Sequence, residues 1–211
     1  MQIAILIFDG LTALDAIGPY EVLSRLPGAE LRFVAKDVGP KRTDTGALGV
    51  QADASIADLS GPDLVLVPGG QGNRPLMQDA EVLDWLRGAH ESSTWTTSVC
   101  TGSLVLGAAG ILDGKRATTH WAYLDQLREL GAEVVEERVV EDGKVVTAAG
   151  VSSGIDMALH LAGRIAGEVV AQAIQLGIEY DPDPPFDSGS PAKASPEVIE
   201  LVRAAERAQS G

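Results

Sequence analysis

Short runs of branched and aliphatic residues recur along the chain, separated by stretches in which apolar positions return every third or fourth residue. The runs are Ile3–Phe8, Leu31–Ala35, Leu64–Val67, Trp95–Val99 and Val145–Ala148. Several are apolar on both faces, the pattern of strands covered from both sides. The stretches between them predict helices over Pro19–Leu26, Ala80–Glu91, Leu104–Ala109, Trp121–Leu130 and Ile155–Ile178. Gly18-Pro19 marks the start of the first, because proline tolerates the first helical position. Strands alternating with helices predict an α/β fold with a mainly parallel sheet between helical layers.

Alternation on either side of Asp142-Gly143 predicts a hairpin, since Asp-Gly suits a type I′ turn. A second short hairpin is expected near Gly46–Gln51. Residues 180–195 are rich in Pro, Gly, Ser and Asp and read as an irregular segment, followed by a polar helix over Pro196–Gln209. No internal repeat emerges, so residues 1–211 are read as a single domain.

Composition narrows the partners more than the chemistry. Sixteen basic and thirty acidic residues leave a formal charge of −14, which repels nucleic acid and anionic lipid. No stretch reaches the ~18 apolar residues of a membrane helix, and "MQIAILIFDG" lacks the basic flank of a signal peptide. The expected location is the cytoplasm. The one cysteine, Cys100, has no internal partner for a disulfide.

Cys100 stands where the Trp95–Val99 strand gives way to a small-residue helical pattern opening at Thr101-Gly102. A strand-to-helix elbow of this kind exposes its side chain at the carboxyl end of the sheet, where open α/β sheets bind ligands. The following helix would favour thiolate and lower the cysteine pKa. A small buried hydrophobe is the other reading of a lone cysteine. Gly69 and Gly70, after the Leu64–Val67 strand, suit either an oxyanion hole or an ordinary turn. Asp15 and Glu21, six apart after the first strand, read as buried proton donors or as charges at the start of a helix. Spacing for metal ligands is missing, as is a complete dinucleotide or P-loop fingerprint.

Together "LDAIGPYEVL" (14–23), "VPGGQG" (67–72), "TSVCTGSLVLGAAGILDGKRATTHWAY" (97–123), "ERVVEDGKVVTAAGVSSGID" (137–156) and "QLGIEYDPDPPFDSGSP" (175–191) resemble the PfpI-type, class I glutamine-amidotransferase-like superfamily, and within it the isocyanide hydratases. The resemblance covers nearly the whole chain. It implies a flavodoxin-like three-layer sandwich, usually a homodimer, that needs no cofactor or metal. It also implies Cys100 as nucleophile, Asp15 as general acid/base and Thr101 as a required neighbour, with Glu21 in the acidic position that touches the nucleophile. Val151 stands near the sulfur where the family often has isoleucine. Protease-like members place histidine directly after the cysteine; Thr101 occupies that position here, which leaves His120 as a candidate partner or a structural residue.

The activity implied is hydration of a small isocyanide to an N-substituted formamide through a thioimidate on Cys100. Glyoxalase- or deglycase-type chemistry on a small 2-oxoaldehyde uses the same thiol at the same elbow. A third reading is a ligand- or redox-sensing module, which superfamily relatives provide in transcriptional regulators.

Overall fold

The computed structural model describes residues 1–59 and 61–209. In chain order the strands are β1 (Gln2–Leu6), β2 (Glu30–Ala35), β3 (Gly39–Arg42), β4 (Gly49–Ala52), β5 (Ala54–Ser55) and β6 (Leu64–Val67). They continue with β7 (Trp95–Val99), β8 (Arg116–Ala117), β9 (Glu133–Val134), β10 (Val139–Asp142) and β11 (Val145–Ala148). The helices are α1 (Ala13–Leu23), α2 (Asn73–Leu76), α3 (Ala80–Ser92), α4 (Gly102–Ala108), α5 (Leu124–Glu129), α6 (Ser153–Ala166), α7 (Glu168–Gly177) and α8 (Pro196–Gln209).

Seven strands make the central sheet in the order β10-β11-β7-β6-β1-β2-β5. All neighbours run parallel except β10 and β11, which form the antiparallel hairpin expected at Asp142-Gly143. Ile3 lies opposite both Leu31 and Leu64, and Leu64 opposite Trp95, so the three central connections share one register. Leu64 to Val67 are wholly buried, as a strand with helices on both faces must be. On one side α1 packs on α6 and α6 on α7; α3 and α5 both pack on α4. The fold is thus the expected α/β three-layer sandwich. A separate antiparallel ladder, β3 with β4, supplies the second hairpin.

Three boundaries differ from the sequence pattern. Helix α1 starts at Ala13, not Pro19, and runs through the proline. Its buried face of Asp15, Ala16, Gly18, Pro19, Val22 and Leu23 shows why: packing against α6 overrides the local preference. The expected Ile155–Ile178 helix is two helices, broken where Gly167 takes φ 89°, a left-handed conformation that ends α6. The Trp121–Leu130 helix opens with a 3-10 turn over Trp121–Tyr123 before α5. Two short elements, α2 and the parallel pair β8–β9, had no periodic signal.

The chain divides into two compact units, Met1–Ile178 and Glu179–Gly211. The second is irregular up to Ser195 and then forms α8.

Where the sheet meets the site, α6 comes close to β7. A Cβ added at Gly154 would stand 3.0 Å from Val99 Cγ2 and 3.1 Å from Pro19 Cγ, wedged between β7 and α1. Gly154→Leu is therefore expected to destabilise the protein by about 2 kcal/mol through overpacking, read as a lower urea midpoint at unchanged slope.

Candidate active site

Three segments that follow parallel strands converge at one end of the sheet. The loop after β1 leads into α1 and Asp15, the loop after β6 carries Gly69 and Gly70, and β7 ends directly on Cys100. The turn after β11 adds Val151. Because β11, β7, β6 and β1 are neighbours in the sheet, their carboxyl ends open onto a single corner.

Cys100 takes φ 56°, a left-handed conformation that a non-glycine residue adopts only when its surroundings enforce it. The enforcing contacts are visible. Its N–H donates to Ala148 O at 3.1 Å and Ala149 O at 2.9 Å. Its carbonyl accepts the Ser103 hydroxyl at 3.2 Å and the Thr119 hydroxyl at 2.9 Å. The elbow predicted from the sequence is present, held on both sides of the residue.

Asp15 is fully buried. Its Oδ2 accepts the Gly69 N–H at 2.8 Å, the Cys100 side chain lies close enough to lower the pKa of the carboxyl, and Oδ1 has no partner among the described residues. Burial pushes the Asp15 pKa up to about 7, with the nearby Asp44 charge adding to it and the Gly69 N–H and the thiol opposing. Burial also raises the Cys100 pKa, and the Asp15 charge raises it further; the N–H groups of Thr101 and Val151 and the Thr101 hydroxyl oppose this. Together these raise the sulfur's pKa rather than lowering it. That corrects the expectation of a helix-stabilised thiolate: the seven-residue α4 does not offset burial beside a carboxyl.

The Pro68-Gly69-Gly70 loop has a different task from the free oxyanion hole envisaged. The Gly69 N–H is committed to Asp15, and the Gly70 N–H donates to Thr101 Oγ1 at 3.1 Å. A second donor, Asn73 Nδ2, reaches the same oxygen at 2.9 Å. Gly69 leaves no room for a side chain, since its Cβ would stand 2.7 Å from both Asp15 Oδ2 and Thr101 N. The loop thus fixes the Asp15 and Thr101 side chains in place. Its own position is set by Thr12 N–H donating to Gly69 O at 2.9 Å.

Residues 1–164 match the DJ-1/PfpI family. The chain belongs to the DJ-1/PfpI family. An isonitrile hydratase of Pseudomonas putida is 48% identical over 96% of this chain and 89% of its own length. The crystal structure of a THiJ/PfpI family protein from Pseudomonas syringae superimposes with a TM-score of 0.94 at 36% identity, covering 99% of this chain and 87% of that one. An HTH-type transcriptional regulator of Pseudomonas aeruginosa, CdhR, is 32% identical over 71% of this chain but only 45% of its own length.

Within this DJ-1/PfpI chain the remaining expected site residues divide. Val151, at φ 22°, lies beside Cys100, whose pKa its N–H lowers. Glu21 does not join the site. Its side chain is 47% exposed and pairs with Arg25 at 2.7 Å. On a continuous helix from Ala13, six positions turn a side chain through about 600°, so Asp15 and Glu21 lie on different faces. His120 packs against the backbone beside Val151: a Cβ on Gly150 would meet its Cδ2 at 2.8 Å. Its Nδ1 accepts the Ala122 N–H, capping the 3-10 turn. His90 bonds to Thr96 and His160 to Glu141, both on other elements. Asn73 and Asp44 went unnoticed in the sequence because neither sits in a periodic or motif context.

Asp15 holds its proton more tightly folded, at about 7, than its ordinary value of 3.8. Folding therefore takes up a proton between those values, and stability falls as pH rises from about 4 through 7, with a slope approaching about 1.4 kcal/mol per unit. Asp15→Asn removes this dependence. Denaturation curves between pH 5 and 8 should show the variant gaining on wild type as pH rises; parallel curves would contradict a buried carboxyl with a raised pKa.

Proposed function

We propose that the chain hydrates isocyanides to N-substituted formamides with Cys100 as nucleophile and Asp15 as general acid/base. The observation that carries this reading is a buried carboxyl next to the thiol whose pKa is raised to about 7 and which keeps one oxygen unpartnered among the described residues. The 48% identity to an isonitrile hydratase across nearly the full chain supports it.

The terminal carbon of R–N≡C accepts a nucleophile and a proton at the same atom. Asp15 takes the thiol proton as the sulfur attacks, then delivers it to that carbon, giving a thioimidate R–N=CH–S–Cys100. Water adds to the carbon as Asp15 removes one of its protons, and that proton passes to nitrogen. The tetrahedral species loses its hydroxyl proton and expels the Cys100 thiolate, which is reprotonated, leaving R–NH–CHO. Every proton and electron pair is supplied by the two side chains, water and substrate, so the scheme requires no cofactor. The Thr101 and Val151 N–H groups and the Thr101 hydroxyl lower the Cys100 pKa and so stabilise the sulfur whenever it carries charge. Cys100 is 7% exposed, and the linear two-atom head of an isocyanide is narrow enough to approach a residue buried to that degree.

The proposal takes residues 1–211 as one functional domain and places the chain in the cytoplasm. No helix among the described residues is long and apolar enough to cross a membrane, and Cys100 is a free thiol. It also places the chain in a homodimer, since α7 presents Val169 and Leu176 at 79% and 80% exposure. A single polypeptide mass in solution would remove the dimer from the proposal.

Purified protein should convert aryl or alkyl isocyanides to formamides without additives. Cys100→Ala should abolish turnover, and Asp15→Asn should lower it about 10²–10⁴-fold, the range of one placed proton donor. Conversion of methylglyoxal to lactate, with no isocyanide consumed, would assign the 2-oxoaldehyde reaction instead.

A further inference from the structure

Thr101 Oγ1 carries one proton and two lone pairs. Both acceptor positions are filled: the Gly70 N–H arrives at 3.1 Å and Asn73 Nδ2 at 2.9 Å. The hydroxyl proton is left free to point along the remaining direction, and this hydroxyl lowers the pKa of the adjacent Cys100 thiol. Asn73 is only 3% exposed, and its backbone N–H closes the loop by donating to Gly70 O at 3.1 Å. Its side-chain oxygen, Oδ1, is buried with no partner among the described residues. An unpaired buried acceptor is a cost that an aliphatic side chain of the same size would avoid. What the amide supplies in exchange is its N–H. With the amide reversed, its carbonyl would accept the Thr101 proton and withdraw it from the sulfur.

We infer that Asn73 is a positioning residue: by donating to Thr101 Oγ1 it makes the Thr101 hydroxyl an obligate donor to the Cys100 sulfur, in the steps where that sulfur is negative. The assignment rests on Cys100 being the nucleophile of the proposed reaction. It adds to that reaction a residue that never touches the reacting atoms.

The test compares Asn73→Asp, which turns the donor into an acceptor for the Thr101 proton, and the neutral, similarly sized Asn73→Leu. Each is made in the wild-type chain and in a Thr101→Val background. The first readout is the rate of Cys100 alkylation by iodoacetamide against pH; the second is kcat and KM with an aryl isocyanide. Asn73→Asp should raise the apparent thiol pKa by about one unit and lower kcat about tenfold, the factor of one hydrogen bond to a charged acceptor, at little change in KM. Asn73→Leu should move both in the same direction by a smaller factor. In the Thr101→Val background the Asn73→Leu effect should vanish and the Asn73→Asp shift should shrink to the part due to its added charge. Equal shifts in both backgrounds would overturn the assignment, as would a wild-type profile in Asn73→Leu. Should Asn73→Asp fail to fold, the Asn73→Leu cycle decides alone. Alkylation does not depend on the substrate. A chain that shows the coupled shift but consumes no isocyanide would overturn the proposed reaction and leave Asn73 its role.

Discussion

A thiol and a carboxyl share one dry corner, and each makes it harder for the other to ionise. Cys100 is nearly buried and Asp15 completely so, and the negative charge of one raises the pKa of the other. Two such groups together carry at least one proton at neutral pH. Almost every neighbouring contact serves to keep them in register. The Gly69 N–H anchors one carboxylate oxygen, and the hydroxyls of Ser103 and Thr119 hold the carbonyl of a cysteine in a conformation it would not otherwise keep. A site of this kind is preorganised by backbone donors and is therefore insensitive to the rotamer freedom of long side chains.

The topology explains why so many backbone donors are available. Parallel strands end together, and the loops that leave β1, β6, β7 and β11 do so side by side. Each contributes one element: a carboxyl, a glycine pair, a thiol and a strained N–H donor. The loops are also tied to one another below the site, Thr12 to Gly69 and Gly72 to Gly10, so the corner behaves as a single piece of framework. At Gly69 a methyl group would overlap Asp15 and Thr101 at once.

Much of this was legible in the sequence. Two-faced apolar runs located the five principal strands, and the change from Val99 to Thr101-Gly102 located the elbow, because strand period and small-residue helix signals meet there. Asp15 was legible as a candidate but its partner was not. Pro19 suggested a helix start that tertiary packing overrode, and that one boundary decided whether Glu21 faced the site or the solvent. The state of the sulfur was illegible for a related reason: a helix dipole can be inferred from sequence order, whereas the depth of burial beside a carboxyl cannot. The Pro68-Gly69-Gly70 loop gave its flexibility away but not the destination of its N–H groups. Asn73 carried no signal at all, being a lone amide after a glycine, whose meaning lies in a contact 28 residues further on.

The absence of histidine after Cys100 then acquires a physical sense. In acyl transfer the nucleophile loses a proton on one side of the reacting carbon while the leaving group needs one on the other, so an imidazole that can shuttle between them is valuable. An isocyanide carbon receives the sulfur and the proton at the same atom. A single carboxyl adjacent to the thiol satisfies both demands with almost no movement, provided that its pKa lies close to the working pH. Burial brings Asp15 to about 7, where it can accept the thiol proton and return it. Under the proposed reaction Thr101, in the place of the histidine, has no proton to carry, and its hydroxyl, fixed by two donors, is left to serve the sulfur.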